Sequence, residues 1–375
     1  MLCLIFIKIS ISKEKNNYNC NQIVTKFSYN FIEILYKGKR MRKIASLVVA
    51  GSLVATSLVA ADMVKGDGSS FILPVNQAWA KAYYKATGKK VQYNGGGSGK
   101  GIKDATKRLV DFGGTDAPLT PKAQKKHNML QFPAIVGATV LAYNLPGVES
   151  GALKLTDKAI VAIAEGKVKY WDNPMLKAVN ENINLPHKKI VFARRSDASG
   201  TTWNFTYFLS SVSRDWRKHY GVKKTINWSC NNVGGKGNPG VSSIIKQTPY
   251  SIGYIEYAYA LESHAKVATV ENRDGYFVKP NMTTFKAAAA GADFDPKKGF
   301  YTVIGYPKGK NSYPLVASTF IIMPKEKVDA DKKITAFYAW AFDKGAKIAA
   351  DLKYVPLPKS VTDKIKQYWK DNGVY

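Results

Sequence analysis

Residues 90–102 read KVQYNGGGSGKGI. Lys90, Val91, Gln92 and Tyr93 have strand character, and beyond the glycines Ile102, Ala105, Leu109 and Val110 recur at helical spacing. The layout is strand, glycine loop, helix. Glycines let a ligand approach the backbone closely, and a helix start presents unbonded N–H groups with a partial positive charge. The stretch is therefore either an anion-holding loop or a flexible Gly/Ser connector. It is not a nucleotide P-loop. With Gly99-Lys100 as the G-K pair of G-x-x-x-x-G-K-[ST], the first glycine falls on Asn94 and the magnesium-holding hydroxyl on Gly101.

Outward from this loop, short apolar strand-like runs alternate with helical segments, which places the chain in the α/β class. Residues 134–143 form an apolar run long enough to cross between two lobes, and residues 320–323 a second buried strand. Thr156 caps a helix that Gly166 stops. Residues 329–351 read as one long amphipathic helix with Ile334, Phe337, Trp340 and Ala341 on one side. A Gly-rich turn at 234–240 precedes a helical stretch at 241–246. There is no internal repeat and no low-complexity linker.

Three further loops share the chemistry of the first. GDGSSF at 66–71 places hydroxyls after glycines and before a helical run. DFGGTDAP at 111–118 is a tight turn that positions an acid. RRSDASGTT at 194–202 follows the strand 190–193 and precedes the helical run 203–210. Each alone reads as an ordinary cap or turn. Together they supply hydroxyls, helix-start N–H groups, an arginine and an acid, all on loops. That combination suits an oxyanion that carries a proton.

The chain has 375 residues, 45% of them hydrophobic, enough for a sizeable core in two or three domains. Its formal charge of +29 is spread along the chain. Zinc-finger spacing, RNP-like motifs and basic heptad helices are absent, so a nucleic-acid partner is not expected, whereas a diffuse positive field draws in small anions. Residues 1–40 are rich in Ile, Lys, Asn, Phe and Tyr and contain neither Ala nor Pro. At Met41 the character changes to a short basic start, an apolar run over 44–59 and a small-residue cleavage site at 59–61. This is the three-part pattern of a secretory signal peptide, so residues 1–40 are expected to be a mis-called extension and 41–61 a signal. Discounting the first 61 residues, with nine Lys/Arg and two Asp/Glu, leaves 47 basic and 25 acidic side chains, about +22. Cys230 alone then remains, which excludes a disulfide framework, and the four histidines lack metal-ligand spacing. No metal or other cofactor is expected.

VDFGGTDAPLT (110–120), QFPAIVGATVLAYNLPG (131–147), FARRSDASGTTWNFT (192–206), GGKGNPGV (234–241), SIGYIEYAYA (251–260) and STFIIMPK (318–325) stand in one order along the chain. In these blocks the sequence resembles the periplasmic phosphate-binding proteins of ABC-type phosphate importers, the Pst-type family, from about Gly66 to the C-terminus. The resemblance implies an α/β, two-lobed type II periplasmic binding protein with the ligand in a cleft between lobes joined by a hinge. Lobe I would comprise residues 62–137 plus 317–375, and lobe II residues 138–316. The implied setting is the periplasm, the implied state a monomer, and the implied partners inorganic phosphate and the inner-membrane ABC permease.

Carried over position by position, the resemblance gives Ser70 and Phe71 as a hydroxyl and a backbone N–H donor, and Ser98 as a second hydroxyl. Asp116 would accept the proton of bound phosphate. Arg195 would make the charged contact, with Asp197 orienting its guanidinium. Ser199, Gly200 and Thr201 would close on the ligand with hydroxyls and helix-start N–H groups. Ser70 stands where the family commonly has Thr. Lys100 stands where the family has Gly or a small residue, and either reaches the ligand or only adds positive potential.

These residue types fit phosphate on chemical grounds. Phosphate carries at least one proton near neutral pH, and sulfate carries none. A buried carboxylate rewards the ligand proton and repels an ion without one; a mismatch of this kind costs about 1–3 kcal/mol or more. Selectivity on the order of 10⁴ is within reach of hydrogen-bond-matched sites. The planar guanidinium of Arg195 holds oxyanions in a fixed geometry. A phosphatase using a serine nucleophile would need a base beside Ser98 or Ser199, and no histidine lies in either motif.

Overall fold

The alternation of apolar runs and helical segments folds into a mixed sheet flanked by helices in a computed structural model that describes residues 63–326 and 328–375. The expected extension at 1–40 and signal at 41–61 lie outside the described residues. Twelve strands are present among them. They are β1 (Met63–Gly68), β2 (Lys90–Asn94), β3 (Phe112–Thr115), β4 (Met129–Asn144), β5 (Lys154–Leu155), β6 (Val191–Arg195), β7 (Asn232–Gly235), β8 (Ser251–Glu256), β9 (Lys266–Val267), β10 (Thr269–Glu271), β11 (Phe277–Val278) and β12 (Val316–Pro324).

β4 decides the architecture. Its sixteen residues are buried almost throughout, as the apolar run suggested. Residues 129–138 pair antiparallel with β12, and residues 139–144 pair antiparallel with β8. One strand thus belongs to two sheets. On one side the order runs β2-β1-β3-β12-β4, with β1 parallel to β2 and β3. On the other it runs β4-β8-β6-β7, with β6 parallel to β7 and β8. β9 adds to β4, and β5, β10 and β11 make a small separate sheet.

The parallel strands place the functional loops. In open α/β sheets, ligands sit beyond the carboxyl ends of the strands. β1 leads through Ser69 to Ile72 into α1 (Leu73–Thr87), and β2 through the glycines into α2 (Ser98–Thr106). α3 (Asp157–Ala164) is capped by Thr156, whose hydroxyl accepts the N–H of Ala159. β6 leads into α4 (Gly200–Val212), β7 into α5 (Gly237–Gln247) and β8 directly into α6 (Tyr257–Glu262). Three helices therefore begin earlier than the sequence suggests, α2 at Ser98 itself, α4 at Gly200 and α5 at Gly237.

The expected single helix over 329–351 is two, α7 (Val328–Lys344) and α8 (Ala346–Asp351). The break has a packing cause. Trp79 is buried, and its indole N–H donates to the Gly345 carbonyl at 2.9 Å. A β-carbon at 345 would lie 2.6 Å from that indole nitrogen. The amphipathic period continues through the break, which is why it reads as one helix.

Aromatic contacts fill the core on both sides of β4. Phe112 stacks on Tyr93 at 5.8 Å and meets Tyr338 edge-on, and Phe132 meets Trp369 at 4.8 Å. On the other side Phe205 stacks on Tyr254 at 4.5 Å, with Phe192 and Trp228 beside them. Such pairs contribute about 0.5–1.5 kcal/mol each beyond the area they bury. Among the described residues, no helix is long and apolar enough to cross a membrane.

Candidate functional site

The acceptor of the site is Asp116, which follows β3 and is 2% exposed. Ser69 Oγ lies 2.6 and 2.7 Å from its two carboxylate oxygens, Thr319 Oγ1 donates to Oδ1 at 2.6 Å, and Ser98 Oγ stands 3.3 Å from Oδ2. Burial pushes the carboxyl pKa from 3.8 up to about 6; the hydroxyls of Ser69 and Thr319, the charge of Arg195 and the hydroxyl of Ser98 pull it down without cancelling the rise. At neutral pH the group is mostly ionised and held in a dry setting.

Arg195 ends β6 and is 4% exposed. Nε and one terminal nitrogen donate to the two oxygens of Asp197 at 2.8 and 2.5 Å, and the other terminal nitrogen donates to Thr201 Oγ1 at 3.0 Å. This fixes the plane of the guanidinium and uses three of its five N–H groups; no acceptor among the described residues takes the other two. Burial alone would raise the Asp197 carboxyl, but Arg195 and the Gly237 N–H outweigh it and leave it below its ordinary value. Asp197 therefore serves as a fixed counter-ion that orients Arg195.

The hydroxyls are oriented by what they accept. Ser70 Oγ accepts both the backbone N–H and the side-chain Nδ2 of Asn238, each at 3.0 Å. Thr201 Oγ1 accepts from Arg195 and, at 3.4 Å, from Asn238 Nδ2. Ser98 Oγ accepts the N–H of Asp116 at 3.1 Å. Ser70 and Thr201, whose oxygens each accept two protein donors, have their own protons left to give, whereas the Ser98 hydroxyl donates to Asp116 Oδ2. Ser199 Oγ accepts the N–H of Thr202 at 3.1 Å, so its hydroxyl is the N-cap of α4.

Two helix starts meet here. Gly99 N–H donates to the Ala198 carbonyl at 2.8 Å, which joins the beginning of α2 to the beginning of α4. The first N–H groups of each helix have no carbonyl one turn earlier to bond, and each terminus carries a partial positive charge of about half a unit. Gly97, at φ 91°, allows the approach, since a β-carbon there would fall 2.2 Å from Asp197 Oδ2. Phe71 N–H donates to Ser69 Oγ at 3.0 Å, while its carbonyl accepts the Tyr354 hydroxyl at 2.7 Å.

All eight residues expected to touch a ligand are buried, and short contacts link them into one cluster. Sequence reasoning missed Ser69 and Thr319, which flank Asp116, and Asn238, which sets the direction of Ser70 and Thr201. The blocks at 234–241 and 318–325 contained Asn238 and Thr319, but a lone amide after glycines and a threonine in an apolar strand carry no chemical signal of their own. The Lys100 ammonium is held by the carboxylates of Asp67 and Asp104. Among the described residues no group of three or more His, Cys, Asp or Glu side chains is gathered for a metal.

The model of the PBP superfamily domain matches residues 54–344. The phosphate-binding protein PstS of Haemophilus influenzae is 40% identical over 309 residues, which cover 82% of this chain and 92% of that one. The protein of the same name from Methanocaldococcus jannaschii is 38% identical over 327 residues, covering 80% of this chain and 83% of that one. Among solved structures, the high affinity periplasmic phosphate-binding protein PfluDING, bound with phosphate, is similar at a TM-score of 0.66 and 18% identity, with 81% and 93% of the two chains covered. The phosphate binding protein from Stenotrophomonas maltophilia is similar at 0.58 and 18%, with the same coverage. At such identity the structural likeness speaks for the fold alone.

Proposed function

The chain belongs to the PstS family of phosphate-binding proteins within the PBP superfamily, and from that premise we propose that it binds inorganic phosphate in the periplasm and delivers it to an ABC phosphate importer. The observation that carries this reading is the polarity of the site. Ser70, Thr201 and Arg195 have their accepting or orienting partners supplied by the protein and N–H or O–H groups left over, while Asp116 is the carboxylate in their midst that is not paired with the arginine. Many donors and one carboxylate free of an arginine describe an oxyanion that still carries a proton.

In this reading Ser70, Ser98, Arg195 and Thr201 donate to the phosphate oxygens, together with the α4-start N–H groups of Gly200 and Thr201. Ser199 holds that helix start in place, and the Phe71 N–H exchanges Ser69 for a phosphate oxygen. Asp116 accepts the ligand proton, and Asp197 steadies Arg195. Lobe I is residues 62–137 plus 317–375 and lobe II residues 138–316, with β4 as a strand of the hinge. Bonds between the halves, such as Asn238 to Ser70 and Asn204 to the Asp116 carbonyl, favour the closed cleft. The ligand can stabilise that state only through its greater affinity for it. The closed monomer would present itself to the permease subunits.

The site is read as binding without turnover. Ser98 Oγ is bonded to Asp116 and Ser199 Oγ to a backbone N–H, so neither is paired with a histidine base. Calorimetric titration of the purified protein with phosphate, arsenate and sulfate tests the proposal. Phosphate and arsenate are expected to compete for one site, and sulfate to bind at least 10³-fold more weakly. Equal affinity for sulfate would overturn the assignment.

A further inference from the structure

Glu256 ends β8 with its side chain fully buried, and nothing above uses it. Its Oε2 accepts the N–H of Ala258 at 2.8 Å, which caps α6, and lies 3.0 Å from the Tyr354 hydroxyl. The same hydroxyl lies 2.7 Å from the Phe71 carbonyl. A phenol has one proton, and a carbonyl can only accept. The shorter contact takes the Tyr354 proton. The contact between Tyr354 and Glu256 therefore needs a second proton, and the Glu256 carboxyl is its source. Oε1 has no partner among the described residues, which a neutral acid tolerates far better than a carboxylate.

Glu256 is also connected to the site. Its backbone N–H donates to Asn238 Oδ1 at 3.0 Å, which turns the Asn238 amide so that Nδ2 faces Ser70 and Thr201. Through Tyr354 it reaches the carbonyl of Phe71, in the turn that carries Ser69 and Ser70. β8 lies in one sheet, while Phe71 follows β1 in the other, so these contacts exist together when the two halves meet.

We propose that Glu256 is a proton-carrying positioning residue: closure of the cleft around phosphate takes up a proton on Glu256, which donates it to Tyr354 and so locks the Ser69–Phe71 turn. The inference rests on the reading of the cleft as a closing phosphate site. The groups facing Glu256 agree with a neutral acid. Tyr354 comes from the segment after α8 and Tyr259 from α6, its hydroxyl donating to the Ser70 carbonyl at 2.8 Å. Thr139, opposite Glu256 across the β4–β8 ladder, brings no charge. Asp116 is an acid whose charge acts on Glu256, and Arg195 is the cation of the site. Burial first, then the charge of Asp116, push the Glu256 pKa well above the ordinary carboxylate value, against the pull of the Ala258 and Tyr259 N–H groups.

The sign follows from a pKa raised in the closed state. Below the open-state pKa both states hold the proton and affinity is unaffected. Between the two values closure takes up a proton, and affinity falls by up to tenfold per pH unit. The test is calorimetry with phosphate in buffers of different ionisation enthalpy, from pH 6 to 8, on the wild type and Glu256→Gln. Gln carries no titratable proton; Ala258 and Tyr354 both meet Oε2, so the amide oxygen keeps the Ala258 contact and the donation to Tyr354 is lost. Glu256→Gln is expected to bind phosphate about tenfold more weakly than wild type at pH 6, the cost of one hydrogen bond. It should take up fewer protons, by up to one, and gain on the wild type as pH rises. The ligand titrates alike in both proteins and cancels in the comparison.

Equal proton uptake and a constant affinity ratio across the range would overturn the proposal. Were the variant not to fold, infrared difference spectra of the wild type at pH 8 decide the point. Phosphate should add a protonated-carboxyl band, and its absence would overturn the proposal equally. Failure of the wild type to bind phosphate at all would instead remove the reading on which the inference rests.

Discussion

Gly200 and Ser98 stand so close that a β-carbon on Gly200 would lie 2.3 Å from Ser98 Oγ and 2.6 Å from Asp116 Oδ2. Gly200 is the first residue of α4, with ordinary helical backbone, so its own segment would tolerate alanine. What forbids a side chain is the other half of the cleft. Gly200→Ala is expected to leave the thermal midpoint of the ligand-free protein within about 2 °C of wild type and to weaken phosphate binding by about 10–100-fold, the usual cost of overfilling a tight contact. Paired melting curves and titrations check it. Unchanged affinity would mean that the two helix starts do not meet around the ligand.

Asp116 links selectivity to pH. Its carboxyl pKa is raised from 3.8 to about 6 in the folded chain, chiefly by burial. Its contribution to stability is therefore full below about pH 4 and lost as pH rises through about 6. Asp116→Asn removes the buried charge and should stabilise the ligand-free protein at pH 8 by on the order of 2 kcal/mol relative to its effect at pH 4. The same substitution replaces a proton acceptor with an amide donor, so the preference for phosphate over sulfate should fall by at least tenfold. In the wild type, sulfate should compete better at pH 5 than at pH 8. A preference that is flat with pH would remove Asp116 from the role of discriminator.

Asn238 donates twice to Ser70 Oγ and so decides which way the serine proton points. In Asn238→Asp the backbone donor survives, but a carboxylate replaces the amide and attracts the Ser70 proton to itself. Phosphate affinity is expected to fall by about 10–100-fold, because one ligand donor is lost and a negative charge is added. Asn238→Ala leaves Ser70 free to rotate and should cost less. If the two variants bind equally, the direction of the Ser70 proton is immaterial to binding.

The fold was legible in the sequence where local period and composition agree. The apolar run at 134–143, the capped helix at Thr156 and the strand at 320–323 depend on nearest neighbours, and they appear where the pattern places them. Gly345 was not legible as a break, since the reason is Trp79, 266 positions away. The loops were legible as a set through glycines, hydroxyls and one arginine. Ser69 and Thr319 were not, because a hydroxyl becomes a carboxylate partner only when separate strands bring it there. Lys100 is the clearest instance. In the sequence it lies two residues from Ser98 and suggests an anion contact, yet β1 brings Asp67 and the turn of α2 brings Asp104 to its ammonium.

That pairing yields a prediction opposite to the one its position invites. The carboxylates of Asp67 and Asp104 are nearly buried, while the Lys100 side chain is 48% exposed. Removing the cation leaves two acids side by side at the start of α2, with Gly96 N–H still donating to Asp67. Lys100→Ala is therefore expected to destabilise the protein by about 1–2 kcal/mol, less than for a fully buried pair because solvent screens the ammonium. Phosphate affinity at physiological salt should stay within about threefold of wild type, since the ammonium is already committed to two carboxylates. Denaturant titration and calorimetry on the same sample separate the two effects. A large loss of affinity with unchanged stability would show that Lys100 acts on the ligand after all.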